Sequence, residues 1–184
     1  ISAPYTRVPL PRSIAMANEG SLDGDLLRMA DAAKQFTNLI SVPTPVAMLH
    51  VALYSKDARL LNLPRSEMAK HRVGLTRGTL VLVKHSMGMD VTDTQTISGT
   101  FEMLQNDRFD MALAIHIDAE LELAQGKFGG FARRAHYWAS EPAYFQLNKK
   151  HHALVPVINS ALQAMQAEGL IAKAQEILNT IYEK

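Results

Sequence analysis

Phe109 to Ile115 is a near-continuous apolar run, with Asp110 its only charged member. A strand of that composition is buried on both faces, as strands of parallel sheets are, and parallel strands need helical crossovers to cover them. The sequence before and after it supplies such crossovers. Val73 to Leu75 reads as a short buried strand, and Leu80 to Met87 as an apolar segment closed by Gly88. Asp90-Val91 is a brief strand, and Ser98 to Gln105 a helix with Phe101 and Leu104 on one face. Asp118 starts another helix, which stops at Gly126. Strand, helix, strand, helix and strand across 72–124 predict an α/β unit with a mostly parallel sheet. Leu80-Val81-Leu82-Val83 is rich in β-formers, so that segment is compatible with strand as well as helix.

The flanks are less regular. Tyr5 to Leu10, broken by Pro9 and Pro11, suits an edge strand. Ser13 is placed to cap a helix over Ile14–Glu19 that ends at Gly20. Leu22 to Arg28 is strand-like around the turn Asp23-Gly24-Asp25, which lacks the further oxygen ligands of a calcium loop. One helical turn over Ala32–Phe36 and a strand over Leu39–Val42 follow. Pro43-Thr44-Pro45 introduces the longest β-like segment, Val46 to Ser55, and Ser66 to His71 reads as a short helix. Arg133 to Gln146 is extended, with a break at Glu141-Pro142. Two helices close the chain. Leu154, Ile158, Ala161, Leu162 and Met165 form one apolar stripe, and Leu170, Ala174, Ile177, Leu178 and Ile181 another; both are expected to pack as core.

A chain of 184 residues with 47% hydrophobic and 20% charged residues is ordinary for a globular protein. Its net charge of +1 gives no reason to expect nucleic acid or an anionic membrane as partner. The absence of cysteine excludes disulfides, thiolate metal sites and cysteine nucleophiles. No run approaches the roughly 18 apolar residues that span a bilayer. The chain begins at Ile1, and a processed or trimmed start is expected.

The sequence offers little to catalysis. Among the histidines at 50, 71, 85, 116, 136, 151 and 152, no pair has the i,i+4 spacing that sets two imidazoles on one helix face. There is no nucleophile elbow, dinucleotide fingerprint or phosphate loop. No metal, cofactor or catalytic residue is therefore assigned. Arginine is the informative type. Arg12 precedes a helix start, Arg28 follows the acidic glycine turn, and Arg77 precedes Gly78, each at a strand end or strand–helix junction where open α/β sheets place ligands. Arg77, Gly78 and Thr79 would form an anion seat from a guanidinium and helix-start amides. The competing reading is that Gly78 relieves a tight turn and Arg77 is solvated.

These stretches carry a resemblance. Arg72-Val-Gly-Leu-Thr-Arg-Gly-Thr79 resembles the motif that opens the second lobe of periplasmic solute-binding proteins of the polar amino-acid type (family 3). Asn106-Asp-Arg-Phe-Asp-Met-Ala-Leu-Ala114 resembles a strand of the same family, and Tyr144-Phe-Gln-Leu-Asn-Lys-Lys-His-His152 its segment before the last helices. Pro9-Leu-Pro-Arg-Ser13, Ala17-Asn-Glu-Gly20 and Leu22-Asp-Gly24 with Arg28 resemble the first lobe of a subgroup. The resemblance implies an α/β periplasmic-binding-protein-like fold, with 1–49 and 141–184 in one lobe and 50–140 in the other. Two hinges, near Val46–His50 and Trp138–Tyr144, would join them. It implies a non-enzymatic protein that binds a small molecule between its lobes and serves an ABC importer permease from the periplasm. Arg77, Gly78 and Thr79 match the carboxylate-binding turn, and Arg28 is the nearest match to a first-lobe arginine.

Two departures stand out. The family's ammonium-binding aspartate is Ile115 here, and a buried ammonium would lose its charge partner against isoleucine. An anionic or neutral solute is expected instead. The family's first strand and first helix have no counterpart, so either the chain is a fragment or its first lobe is incomplete, and in the second case a homodimer is expected to cover the lobe's apolar surface. Two alternatives share the scaffold. One is a ligand-sensing module of a signalling protein. The other is a dehydratase-like enzyme with Glu102, Asp110 or His116 as general acid.

Overall fold

The computed structural model describes residues 4–6, 8 and 10–180, with side chains for all of these except 10 and 178–180. The chain clusters into two compact units. The first runs to Ala47 and resumes over Pro142–Ile171; the second is Met48–Glu141 with the chain from Ala172 onward. The sequence reading kept everything after 141 in the first lobe. The last helix departs from that division because Gln175 Oε1 accepts the Met48 N–H at 2.9 Å, fastening the helix to the second unit.

In the first unit, helix α1 (Leu10–Glu19) is followed by β1 (Gly24–Arg28), α2 (Ala32–Gln35) and β2 (Leu39–Ser41). The described part of Tyr5–Leu10 is not a strand, and the helix begins at Leu10, ahead of the expected Ser13 cap. Both β1 and β2 run antiparallel to β8 (Ala139–Asn148), with Leu147 opposite Gly24 on one side and Ile40 on the other. Gly24 is required there, because a Cβ would sit 2.4 Å from the Gln146 carbonyl oxygen. Ile14, Ala17, Ala32 and Leu39 form the buried cluster. Asn148 donates to the Ala17 carbonyl at 2.8 Å and accepts from the Lys150 N–H, which joins α1 to the end of β8.

The chain closes with α6 (Val155–Ala167) and α7 (Leu170–Thr180). Their stripes, as far as they are described, are not core; the Leu178 side chain and Ile181 lie outside the described residues. Leu162 is buried, but Met165, Leu170 and Ile177 are 41%, 45% and 48% exposed. Periodicity marks an apolar face without saying whether anything covers it.

In the second unit, β3 (Ala47–Ser55) is followed by β4 (Arg72–Thr76), α3 (Leu80–His85), β5 (Asp90–Thr94) and α4 (Ile97–Gln105). Then come β6 (Met111–Ile115), α5 (His116–Leu123) and β7 (Ala132–Arg133). The strand order is β3-β6-β4-β5, with β7 on β3. Strands β6, β4 and β5 are parallel, but β3 and β7 are antiparallel, as are the strand pairs of the first unit. The three strands across 72–124 are thus parallel, as their alternation with helices requires, and it is β3 and β7, outside that stretch, that make the whole sheet mixed. All five residues of β6 are buried, as its composition requires. Phe101 and Leu104 of α4 join Tyr54, Phe109, Ala112 and Ala114 in the core. The ambiguous segment after Thr79 is helical, though only six residues long.

Candidate ligand-binding site

The order β5-β4-β6 fixes where the second unit can hold a ligand. From β4 the chain passes through α3 to β5 on one side, then returns through α4 across β4 to β6 on the other. Right-handed crossovers running in opposite directions place the two helices on opposite faces of the sheet. The carboxyl ends of β4 and β6 therefore flank the switch point of the strand order, the position open α/β sheets use for ligands. Strand β4 is continued there by Arg77, Gly78 and Thr79. The pairing Val73↔Met111 and Gly74↔Ala112 is parallel, so Ile115 ends β6 at the same end of the sheet at which Arg77 follows β4.

The turn is held by backbone. The Arg77 N–H donates to the Thr94 carbonyl at 2.9 Å, and Gly78 then takes φ +75°, a left-handed conformation that favours glycine. Thr79 is buried and extended, and its carbonyl accepts the first helical bonds from Leu82 and Val83. No side chain caps this helix start. The Thr76 hydroxyl is buried with no hydrogen-bond partner among the described residues. The Arg77 side chain is 67% exposed, and its Nε is 3.7 Å from Asp93 Oδ2. An ion pair so long and so wet holds the guanidinium only weakly. On the β5 side, the Thr94 hydroxyl meets that of Thr100 at 2.5 Å, and Thr96 caps α4 by accepting the Gly99 N–H.

On the β6 side, buried Ile115 is followed by buried His116. The Tyr54 hydroxyl donates to Glu120 Oε1 at 2.8 Å and lies 3.2 Å from His116 Nδ1. Tyrosine has one hydroxyl hydrogen, so with Glu120 as its acceptor the proton of the second contact must sit on His116 Nδ1. Burial, then the Glu120 carboxylate, pushes the Tyr54 hydroxyl's pKa far up and keeps it a donor. Arg133 Nε lies 3.9 Å from the same carboxylate oxygen. The sequence reading named His116 but not Tyr54, Glu120 or Arg133. The i,i+4 spacing of His116 and Glu120 was a readable signal; the approach of Tyr54 depends on β3 pairing with β6.

Arg12 and Arg28 belong to the first unit. Arg12 is exposed within the first turn of α1 and does not precede the helix, because Ser13 has another task than capping. The Ser13 hydroxyl donates to Asp25 Oδ2 at 3.1 Å and accepts from Arg28 Nη2 at 2.6 Å. Arg28 Nε also donates to Asp25 Oδ2 at 2.6 Å, both side chains being 11% exposed. Arg28 thus already holds a carboxylate of its own strand. The pair spans the irregularity in β1, where Leu27 has φ +57°.

The acids considered for dehydration are not brought together. Glu102 is exposed on α4. Asp110 lies at the amino end of β6, opposite its carboxyl end, and accepts from the Arg72 N–H at 2.8 Å and Nη2 at 2.7 Å. Among the described residues no group of three or more metal-binding side chains converges, and no helix is long and apolar enough to cross a membrane.

No family model and no curated protein matches the sequence. Solved structures do match the fold. The GluR0 ligand-binding core in complex with L-glutamate aligns with 95% of this chain and 80% of its own, at TM-score 0.79 and 17% identity. An ancestral arginine-binding protein bound to arginine aligns with 98% of this chain and 80% of its own, at 0.74 and 17%. The substrate-binding protein of an amino acid ABC transporter aligns with 97% and 78%, at 0.68 and 14%. The chain has an α/β periplasmic-binding-protein-like fold, with a mixed sheet flanked by helices.

Proposed function

We propose that the chain is a non-enzymatic solute-binding protein of the periplasm. It captures a small anionic or neutral organic solute between two lobes, which close by hinge motion, and presents it to the permease of an ABC importer. One observation supports the choice of solute: Arg77 follows the carboxyl end of β4, and β4 runs parallel to β6, whose own carboxyl end is the buried Ile115. A guanidinium and uncapped helix-start amides suit a carboxylate, while Ile115 offers nothing to an ammonium. The nearby acid, Asp93, lies on the far side, on β5, and leans on Arg77 itself, so an incoming anion has a weak competitor to displace. Gly78 and Thr79 supply the backbone of the seat. Arg28 and Arg12 are the first lobe's candidates, and Arg28 would have to share itself with Asp25.

Thermal-shift screening tests this reading. Organic acids and uncharged polar solutes should raise the melting temperature with concentration, as native-state binding does. Lysine and arginine should not. Stabilisation by lysine or arginine alone would overturn the assignment of solute charge.

A further inference from the structure

We propose that Glu141 is a positioning residue for the Arg77–Thr79 turn, acting through α3 and touching no solute. The functional meaning of this inference rests on reading that turn as the solute seat. A helix of six residues is far below the length that is stable alone, so contacts outside it must hold α3 together. Val81 and Leu82 are buried on one side. The other fastenings lie in the last turn. Lys84 Nζ and His85 Nε2 approach Glu141 Oε1 at 2.6 and 2.8 Å, the Glu141 side chain being 21% exposed. The His85 carbonyl accepts from Trp138 Nε1 at 3.0 Å and from Arg65 Nη2 at 2.6 Å. Trp138 is braced in turn, with the Arg65 and Arg134 guanidinium carbons 5.0 and 5.2 Å from its ring centroid.

The start of the helix has no side-chain fastening of this kind: it is held by backbone and by burial, its cap residue Thr79 makes no side-chain cap bond, and it follows a left-handed glycine. Helix formation is cooperative, so loosening the last turn of so short a helix releases its first amides as well. Glu141 is thereby linked to the orientation of the Gly78, Thr79 and Leu80 amides, although sequence separates them by more than fifty residues.

Hydrogen exchange on Glu141→Gln and Glu141→Ala tests the link without any solute. The amides of Leu82 and Val83, which donate to the Thr79 carbonyl, should exchange faster than in the parent, on the order of 5–30-fold, while those of α4 stay unchanged. Emission from Trp138, the single tryptophan, should change in the same variants. Lys84→Gln breaks the contact from the helix side and should reproduce the exchange pattern if the Glu141 variants fold poorly. Faster exchange confined to 84–86, or a uniform rise across the chain, would overturn the proposal. Because no solute is used, its failure leaves the solute-binding reading standing. Failure of the thermal-shift screen would in turn leave the mechanical link intact.

Discussion

Gly74→Ala is the substitution for which the structure gives the clearest cost. Gly74 sits mid-strand in β4, three residues before Arg77, and a Cβ built there would lie 2.2 Å from Phe109 Cδ2 and 2.3 Å from Cε2. Ordinary carbon contacts begin near 3.5 Å, so the ring would have to withdraw by about 1 Å. Phe109 is 4% exposed within the core of the second unit, so the displacement spreads to its neighbours. Overpacking of this kind costs roughly 1–3 kcal/mol. The lower unfolded-state entropy of alanine returns about 0.4–1 kcal/mol. A net loss of about 1–2 kcal/mol is expected, read as a lower urea midpoint with an unchanged slope. Phe109→Leu removes the clashing Cε2 and replaces the rigid ring with a shorter side chain whose Cδ atoms can rotate away, so the double variant should lose less stability than the two single losses added together. A neutral or stabilising Gly74→Ala, or strict additivity with Phe109→Leu, would refute the packing of Phe109 over β4.

Two further outcomes are expected. Tyr54 is 1% exposed and its hydroxyl serves both Glu120 and His116, so Tyr54→Phe should cost about 1–3 kcal/mol in chemical unfolding; a change within about 0.5 kcal/mol would contradict the network. The Arg72 guanidinium, by hydrogen bonding, holds the Asp110 carboxyl below its ordinary range, and Lys84 does the same for Glu141. Groups with lowered folded pKa values contribute stability fully present above the unfolded carboxylate range, near pH 4, and lost as pH falls through the folded values. The urea midpoint should therefore drop on acidification below about pH 4, and the drop should be shallower in Asp110→Asn; equal slopes would contradict it.

How much of this was legible in sequence depends on range. Strands β4 and β6 and helix α4 were readable because unbroken apolar runs and an apolar face lie between turn residues such as Gly78, Asn106 and Asp107. The direction and neighbour of β3 were not, because strand pairing is decided by partners more than fifty residues away. Ser13 misled as a helix cap: its hydroxyl has a better offer from Asp25 and Arg28, and that ion pair also draws Arg28 inward. The turn at 77–79 was found from local order alone. Its relation to Ile115 needed the parallel register, and the link to Glu141 needed the folded contacts of α3.

Titration calorimetry on Arg77→Ala beside the parent, with an organic acid taken from the thermal-shift screen, tests the central claim most directly. The Arg77 side chain is 67% exposed and makes one loose ion pair, so its removal should leave unfolding stability nearly unchanged. It should weaken binding of the acid by roughly 1.5–3 kcal/mol, the scale of a charge-assisted hydrogen bond. Unchanged affinity would take Arg77 out of the site. A large loss of stability would make it a structural residue, and either result would contradict the anion seat.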